Sequence, residues 1–429
     1  MKIINLGGAT AIIEHQGKRM LMDPWLDDGI FHGAWYHYPP LNVSISDIGR
    51  FDYIYISHIH EDHCSIDTLR HLNRDAEIII ADKKPNFVEK FLNANNLVFK
   101  NVHKIAPRTP CEITPGMWVD VIEADPANEM AYAVDSALVL TWDGFTIYNA
   151  NDCQPYPEGV KYLTTNYQVD LALLPYSGGS GYPACYLNLT DTDKAHRAEQ
   201  IMNARIEHFK KVTLDIAPRW AMPFADQYVV AGSRSHLNQY ISHPPCPGIV
   251  VERFGDYIGS TKLLLLNSGQ SFDFDKLIVE PNDAYVQHSE KDRADYVAKN
   301  LQHKEYEHEL FNINTSVSIF RLVQAARNRL WLEQQRRNSF PKWTLYLDIP
   351  ERKEIFEINL ALEAAVAFDA DKSLVAPYLR LVMSPTLAVM ILIGHMSINI
   401  ADAALFIDYQ REPDIYEPEL YFLLNLLRC

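Results

Sequence analysis

The sequence predicts an α/β protein: a four-layer αββα sandwich over residues 1–275, followed by a helical linker and a smaller α+β domain over 276–429. Three observations point there. Up to about position 270 the chain carries a series of short β-branched or aromatic runs, each bounded by Gly, Pro, Asn or Asp. Helical segments interrupt these runs at intervals, which suits two β-rich halves with helices packed outside them. After "STKLLLLNSGQSFDF" the composition turns polar, charged and mostly helical.

Taken in order, "KIINL", "ATAIIEH" and "KRMLMD" read as strands joined by Gly-containing turns, and "YIYISH" and "EIIIAD" follow. Helices are expected at about 65–74 and 84–95. "DVIEAD", "SALVLTW", "FTIYNAND" and "LALLPYS" complete the strands. Some of these alternate and some are apolar throughout, so the sheets should be covered on at least one face. A helix at 191–211 opens on an Asp or Thr cap and ends in basic residues, which suits a helix C-terminus. Residues 280–340 hold two helical runs, "DRADYVAKNLQHKEYEHEL" and "SIFRLVQAARNRLWLEQQRR". Strands return around the turn-like "PERK", and "SPTLAVMILIGHMSINIADAALF" and "PELYFLLNLL" read as closing helices. This last part has the texture of a small lipid-carrier or dimerisation module whose apolar helices form a core, so a homo-oligomer is a candidate.

Composition bounds the function. A chain of 429 residues suggests two domains, and 48% hydrophobic residues suffice for a sizeable core. The net charge of −16 excludes general binding to nucleic acid or anionic membrane, though not a local basic pocket for one phosphate or carboxylate. Six scattered cysteines with no CxxC pair read as free thiols in a reducing compartment. The N-terminus lacks signal-peptide architecture and "SPTLAVMILIGHMSI" is too short to span a bilayer, so a cytoplasmic protein is expected.

The chemistry concentrates in "HIHEDH", positions 58–63, directly after the apolar "FDYIYIS". Side chains at i and i+2 of an extended segment share a side, so His58 and His60 can point together off the strand end. Asp62 and His63 follow where the chain turns into the next helix and can face a neighbouring point. Imidazole suits zinc and iron, and carboxylate suits harder first-row ions. A histidine-rich loop end with ordinary hydrogen bonds is the plainer alternative, but four ligand-type residues at this spacing argue against it.

HxHxDH after a strand resembles the signature of the metallo-β-lactamase superfamily, and the resemblance covers roughly residues 1–270. It implies that Asp23 in "MLMDPWL" is the family's structural aspartate and that Asp152 in "FTIYNANDC" bridges two metal ions. Two positions depart from the common pattern. The histidine expected between HxHxDH and the bridge is absent, leaving Asp125, Glu123 and Glu129 as candidates, with Asp125 best placed after "DVIEAD". The histidine that completes the second ion is absent until His236, with Asp226 a weaker candidate. "NDC", "LLPYSGGSGYP", the helix at 191–211 and "MPFADQYVV…SH" together resemble the CMP-N-acetylneuraminate hydroxylase branch, in which an Asp-containing segment also replaces that histidine. Members of that branch carry a Rieske domain, whereas this sequence has neither a Cys-x-His nor a Cys-x-x-His pair, so electrons are expected from a separate protein or from the substrate.

A carboxylate in place of imidazole makes the site harder and more anionic and favours iron or manganese. It also resembles the di-iron β-hydroxylases of antibiotic pathways. The expected activity is therefore a di-iron monooxygenase acting on a polar small molecule such as a nucleotide sugar or biosynthetic intermediate. A zinc or manganese hydrolase of a phosphoester or amide is the alternative, and a degenerate binding protein the third. Asp62, Asp152 and Tyr182 are the catalytic candidates; His58, His60, Asp62, His63, Asp125, Asp152 and His236 are the metal candidates. "SGGSGYP" can cradle a substrate anion through backbone N–H groups, with Tyr176 and Tyr182 as hydrogen-bond donors beside it. Arg197, Arg205, Lys210 and Lys211 read as a solvated helix face, and Arg219 as better placed for an anion. His32, Trp35 and His37 lie in a loop that can overhang the site.

Overall fold

The computed structural model describes residues 1–225, 228–311, 317–368 and 373–429. Two eight-stranded sheets face each other. The first runs, edge to edge, through Ile278–Glu280, Ser271–Asp273, Lys2–Gly7, Thr10–His15, Lys18–Met22, Tyr53–Tyr55, Glu77–Ala81 and Asn101–Ile105. The second runs through Tyr257–Ile258, Thr261–Leu263, Trp220–Phe224, Leu171–Pro175, Phe145–Asn149, Ser136–Trp142, Met117–Glu123 and Cys111–Thr114. The first sheet thus takes its edge strand from beyond position 275.

Strand periodicity divides the side chains between faces. Ile13, Met20, Met22, Tyr55 and Ile79 meet Val119, Val121, Leu138, Leu140 and Leu173 in the core between the sheets. Their strand neighbours point outward: Ile12, Leu21, Ile54 and Ile78 pack under the helices Ile66–His71 and Phe87–Ala94. Val139, Tyr148, Ala172 and Leu174 pack under the helix Asp191–Ile216. Layers of helix, sheet, sheet and helix result, as expected. The long helix begins at a capping box between Thr190 and Asp193. It runs past Lys210 and Lys211 and stops only where Ala217 turns left-handed before Pro218.

The C-terminal domain is a five-stranded sheet, ordered Val366–Phe368, Glu354–Asn359, Thr344–Ile349, Tyr378–Val382 and Asp408–Glu412. The helices Ile319–Arg337 and Pro385–Leu392 pack on it. Its apolar core is continuous with Trp25, Phe31 and Trp35 of the N-terminal part, so the two parts share one buried seam. "FHGAWYHYPP" is more than a loop: Trp35–His37 pairs as a strand with Tyr228–Val230. All six cysteines are free. Among the described residues no helix is long and apolar enough to cross a membrane.

Candidate metal centre

Three strand ends converge on the histidine cluster. Lys18–Met22 and Tyr53–Tyr55 are parallel neighbours, so Asp23 and Ser57 leave the first sheet side by side. Asp23 takes a left-handed φ of 44° and its N–H donates to the Tyr55 carbonyl at 2.9 Å. A non-glycine residue in that region is strained, and such strain is held where surrounding structure over-determines it. Here the determinant is the buried carboxylate of Asp23. It accepts the Ser57 N–H at 2.7 Å and the Ser57 hydroxyl at 2.9 Å, and lies 3.0 Å from His63 Nδ1.

These contacts decide where the imidazole lone pairs point. His63 Nδ1 donates to Asp23, which turns Nε2 toward the site, 3.2 Å from Asp62 Oδ2 and 3.5 Å from Asp152 Oδ2. The Ser57 hydroxyl has given its proton to Asp23, so it accepts from His58 Nδ1 at 2.9 Å and leaves His58 Nε2 bare. His60 Nε2 donates to Asn399 Oδ1 at 3.0 Å, which leaves its Nδ1 bare. His58 Nε2 and His60 Nδ1 then face each other at 2.8 Å, lone pair against lone pair. With both nitrogens bare the pair offers two donors to a cation beside them; with one protonated it is an ordinary hydrogen bond. The Asp152 Oδ1 oxygen is buried without a hydrogen-bond partner, which suits it to accept a cation. Ligand atoms of His58, His60 and Asp152 all lie within 4.8 Å of one another. The donor set therefore fits first-row metal ions.

The second sheet supplies two further carboxylates, Asp135 and Asp152. Phe145–Asn149 and Ser136–Trp142 are antiparallel, so the end of one and the start of the other share an edge. Asn151, left-handed at φ 46°, donates from Nδ2 to the Ser136 carbonyl at 2.8 Å and accepts the Asp152 N–H at 2.9 Å. This clip sets Asp152 beside Asp135, whose Oδ1 lies 4.0 Å from His58 Nε2. Burial raises the Asp135 carboxyl well above the usual range, and Asp152 adds to the rise. Burial also opposes charge on Asp152, but His63 and His58 outweigh it and hold that carboxyl low. Burial keeps His58 neutral, well below the ordinary histidine value. For His63 burial works the same way but is outweighed by Asp152, Asp62 and Asp23, which raise it well above that value. A metal ion on Nε2 would take the place of the proton these carboxylates attract.

The cluster opens into a cleft of about 790 Å³, solvent at its mouth included. His60, Asp62, His63 and Asp152 lie at its base. Trp25, Phe31, and the stacked pair Trp35 and Tyr228 (centroids 3.4 Å apart) form apolar wall, and Ser177, Gly178 and Gly179 a polar one. Asn399, Asp402 and Ala403 of the C-terminal domain form the roof. The Trp35 indole N–H donates to the Ala403 carbonyl at 2.9 Å, which fixes wall to roof. A side chain at Gly179 would meet the Tyr228 hydroxyl at 2.9 Å, so the close approach there requires glycine.

Several expected site residues lie elsewhere. Strand Met117–Glu123 ends before Asp125, whose Oδ1 turns back to accept the Ala127 N–H at 2.9 Å. Glu123 pairs with Arg108 and Glu129 with Arg337. Asp135 stands nearer the cluster, its Oδ1 4.0 Å from His58 Nε2. His236 is exposed on the 3-10 helix Gly232–Tyr240, its Nδ1 3.1 Å from the Ser233 carbonyl, because Arg234 of that turn is drawn to Asp408. Asp226 lies outside the described residues. Tyr182 points away from the cluster: its hydroxyl meets Arg197 and Asp414, and Arg411 covers its ring at 4.8 Å. Tyr176 is buried in the core beneath the long helix. Lys211 pairs with Asp215, and exposed Arg219 with Asp170. Arg205 differs from its helix neighbours: it is largely desolvated, burial lowers its pKa, and no ion pair joins it among the described residues. It lies behind the cleft wall, where a Cβ at Gly178 would stand 3.6 Å from its Nε. His37 is buried, bonded to Asp28 and stacked on Trp25.

Residues 18–184 match the family model described as beta-lactamase superfamily domain. The chain is 28% identical over 258 residues to a protein of Mycobacterium tuberculosis named as a Rieske 2Fe-2S iron-sulfur protein, covering 57% of this chain and 47% of that one. It is 28% identical over 226 residues to the cytidine monophosphate-N-acetylneuraminic acid hydroxylase of Sus scrofa, covering 49% of this chain and 48% of that one. The chain thus spans about half the length of the curated relatives it matches. Among solved structures, Igni18, a metallo hydrolase from Ignicoccus hospitalis, aligns at 18% identity and a TM-score of 0.43, over 64% of this chain and 98% of its own.

Proposed function

With a metallo-β-lactamase superfamily domain established over residues 18–184, we propose that the protein is a di-iron, O2-dependent hydroxylase of a polar small molecule that carries an anionic group. His58, His60 and Asp135 hold one ion in this reading, Asp62 and His63 the other, and Asp152 lies between them. Asp135 is the observation that carries the reading. It puts a half-buried carboxylate 4.0 Å from His58 Nε2, where the superfamily's common pattern has a third imidazole. The resulting set is harder and more anionic, which favours iron or manganese and stabilises a higher oxidation state. Bound iron would supply the oxygen chemistry.

The chain's own residues do the rest. Asp23, through Ser57 and directly, holds His58 and His63 in the tautomers that present Nε2 to the site. Trp25, Phe31 and the Trp35–Tyr228 stack exclude water from one side of the cleft. Arg205 lies behind the Gly178 wall and lends a positive field to a net-negative chain, which suits a substrate phosphate or carboxylate. A nucleotide-activated sugar meets that description, and so does a carboxylated biosynthetic intermediate. Electrons would come from a separate electron-transfer protein or from the substrate.

Metal analysis of protein purified anaerobically tests the reading. Two irons per chain and a spectrum that changes on exposure to oxygen are expected. Two zincs at the His58 cluster and no reaction with oxygen would overturn it and favour a hydrolase.

A further inference from the structure

A second cluster of metal-type donors lies at the seam between the two domains. His32 Nδ1 meets Glu307 Oε2, and His395 Nε2 lies 3.0 Å from the other oxygen, Oε1. The three ligand atoms fall within 4.8 Å of one another. Each comes from a different part of the chain: His32 from the loop after the first three strands, Glu307 from the linker, and His395 from the turn between helices Pro385–Leu392 and Ile398–Ala403. Two imidazoles and one carboxylate are a donor set that zinc accepts, with a fourth position left to water. His395 is half-exposed, so water can reach that position.

The backbone holding His32 is an independent observation. Phe31 and His32 are consecutive non-glycine residues at φ 52° and 57°. Single residues visit this region, but two in succession need something to hold them. Two contacts do so. The Phe31 N–H is fixed by Glu61 Oε2 at 2.7 Å, and His32 is fixed by Glu307. Hydrogen bonding alone would tie three partly exposed side chains with little net stabilisation, since each bond replaces one to water.

We propose that His32, Glu307 and His395 bind a divalent transition-metal ion, of the zinc class, that staples the C-terminal domain to the loop over the catalytic cleft. The placement gives the staple a consequence. His32 adjoins Phe31, which forms the cleft wall, and His395 stands four residues before Asn399, which bonds His60. One ion would thus hold both wall and roof without touching the catalytic donors.

Zinc stoichiometry, by equilibrium dialysis and elemental analysis, tests this in the full chain. Glu307→Gln keeps the shape of the side chain and removes its charge, and His395→Ala removes an exposed ligand. Each variant should bind one zinc per chain fewer than the wild type, whatever the count at the His58 cluster. Zinc should also raise the melting temperature of the wild type more than that of either variant. A stoichiometry unchanged in both variants overturns the staple, whatever metal the catalytic cluster proves to hold. Correct folding of His395→Ala is checked by its circular dichroism. Should that variant misfold, Glu307→Gln alone decides.

Discussion

The cluster around His58 and the cluster around His32 use the same donor types but are built in opposite ways. The first takes its histidines from six consecutive positions at a strand end, and a buried aspartate orients two of them. The second joins residues 275 and 88 positions apart and is partly exposed. Local sequence sets the histidine geometry of one, and domain docking sets the geometry of the other. A site of the first kind survives small domain movements, whereas a site of the second kind exists only while the domains are docked.

That contrast can be broken at several points. Asp152→Ala should have the largest effect, because it removes a carboxylate that reaches both histidines, 3.8 Å from His58 Nε2 and 3.5 Å from His63 Nε2. Loss of metal affinity at the His58 cluster should exceed about 100-fold, the upper range for a merely supporting residue. Competition with a chelator reads this directly.

Asp135→Ala and Asp125→Ala form a matched pair. The first should weaken one of the two ions by about 100-fold and the second should leave both in place. Equal losses in the two variants would return the third donor to Asp125.

Asp23→Asn touches no ion but should still weaken binding by about 10- to 100-fold, since the amide cannot accept from Ser57 and His63 as the carboxylate does. The smallest effect is expected at Asn399. Removing one neutral hydrogen bond to His60 is worth about 1 kcal/mol, or roughly fivefold in metal affinity. A loss as large as that at Asp23 would mean the roof holds the ions as firmly as the strand ends do.

Much of this was legible in the sequence. The alternation and caps that predict the strands and helices are satisfied locally, so the layered fold follows from them. Thr190 capped the long helix as read, but its end was misplaced. Lys210 and Lys211 look like a terminus, while the true stop is the left-handed Ala217 before Pro218. "HIHEDH" announced its cluster because four ligand-type residues fall within six positions. Asp135 did not stand out, because before "SALVLTW" it reads as a turn residue. Its role depends on antiparallel pairing that brings the start of one strand to the end of the next. That pairing was the available signal: an acid just before Ser136 sits at the same sheet edge as one just after Asn149. Asn399, 339 positions from His60, left no such trace.

The roof over the cleft divides labour along the chain. Every proposed ligand of the catalytic ions precedes position 153, while Asn399, Asp402 and Ala403 face whatever enters. Exchanging the short helix Ile398–Ala403 with Asn399 kept in place should therefore change which molecule is admitted while leaving the reaction intact. In a lineage of such proteins, selectivity and chemistry could diversify at separate rates, the one written near the end of the chain and the other near its beginning.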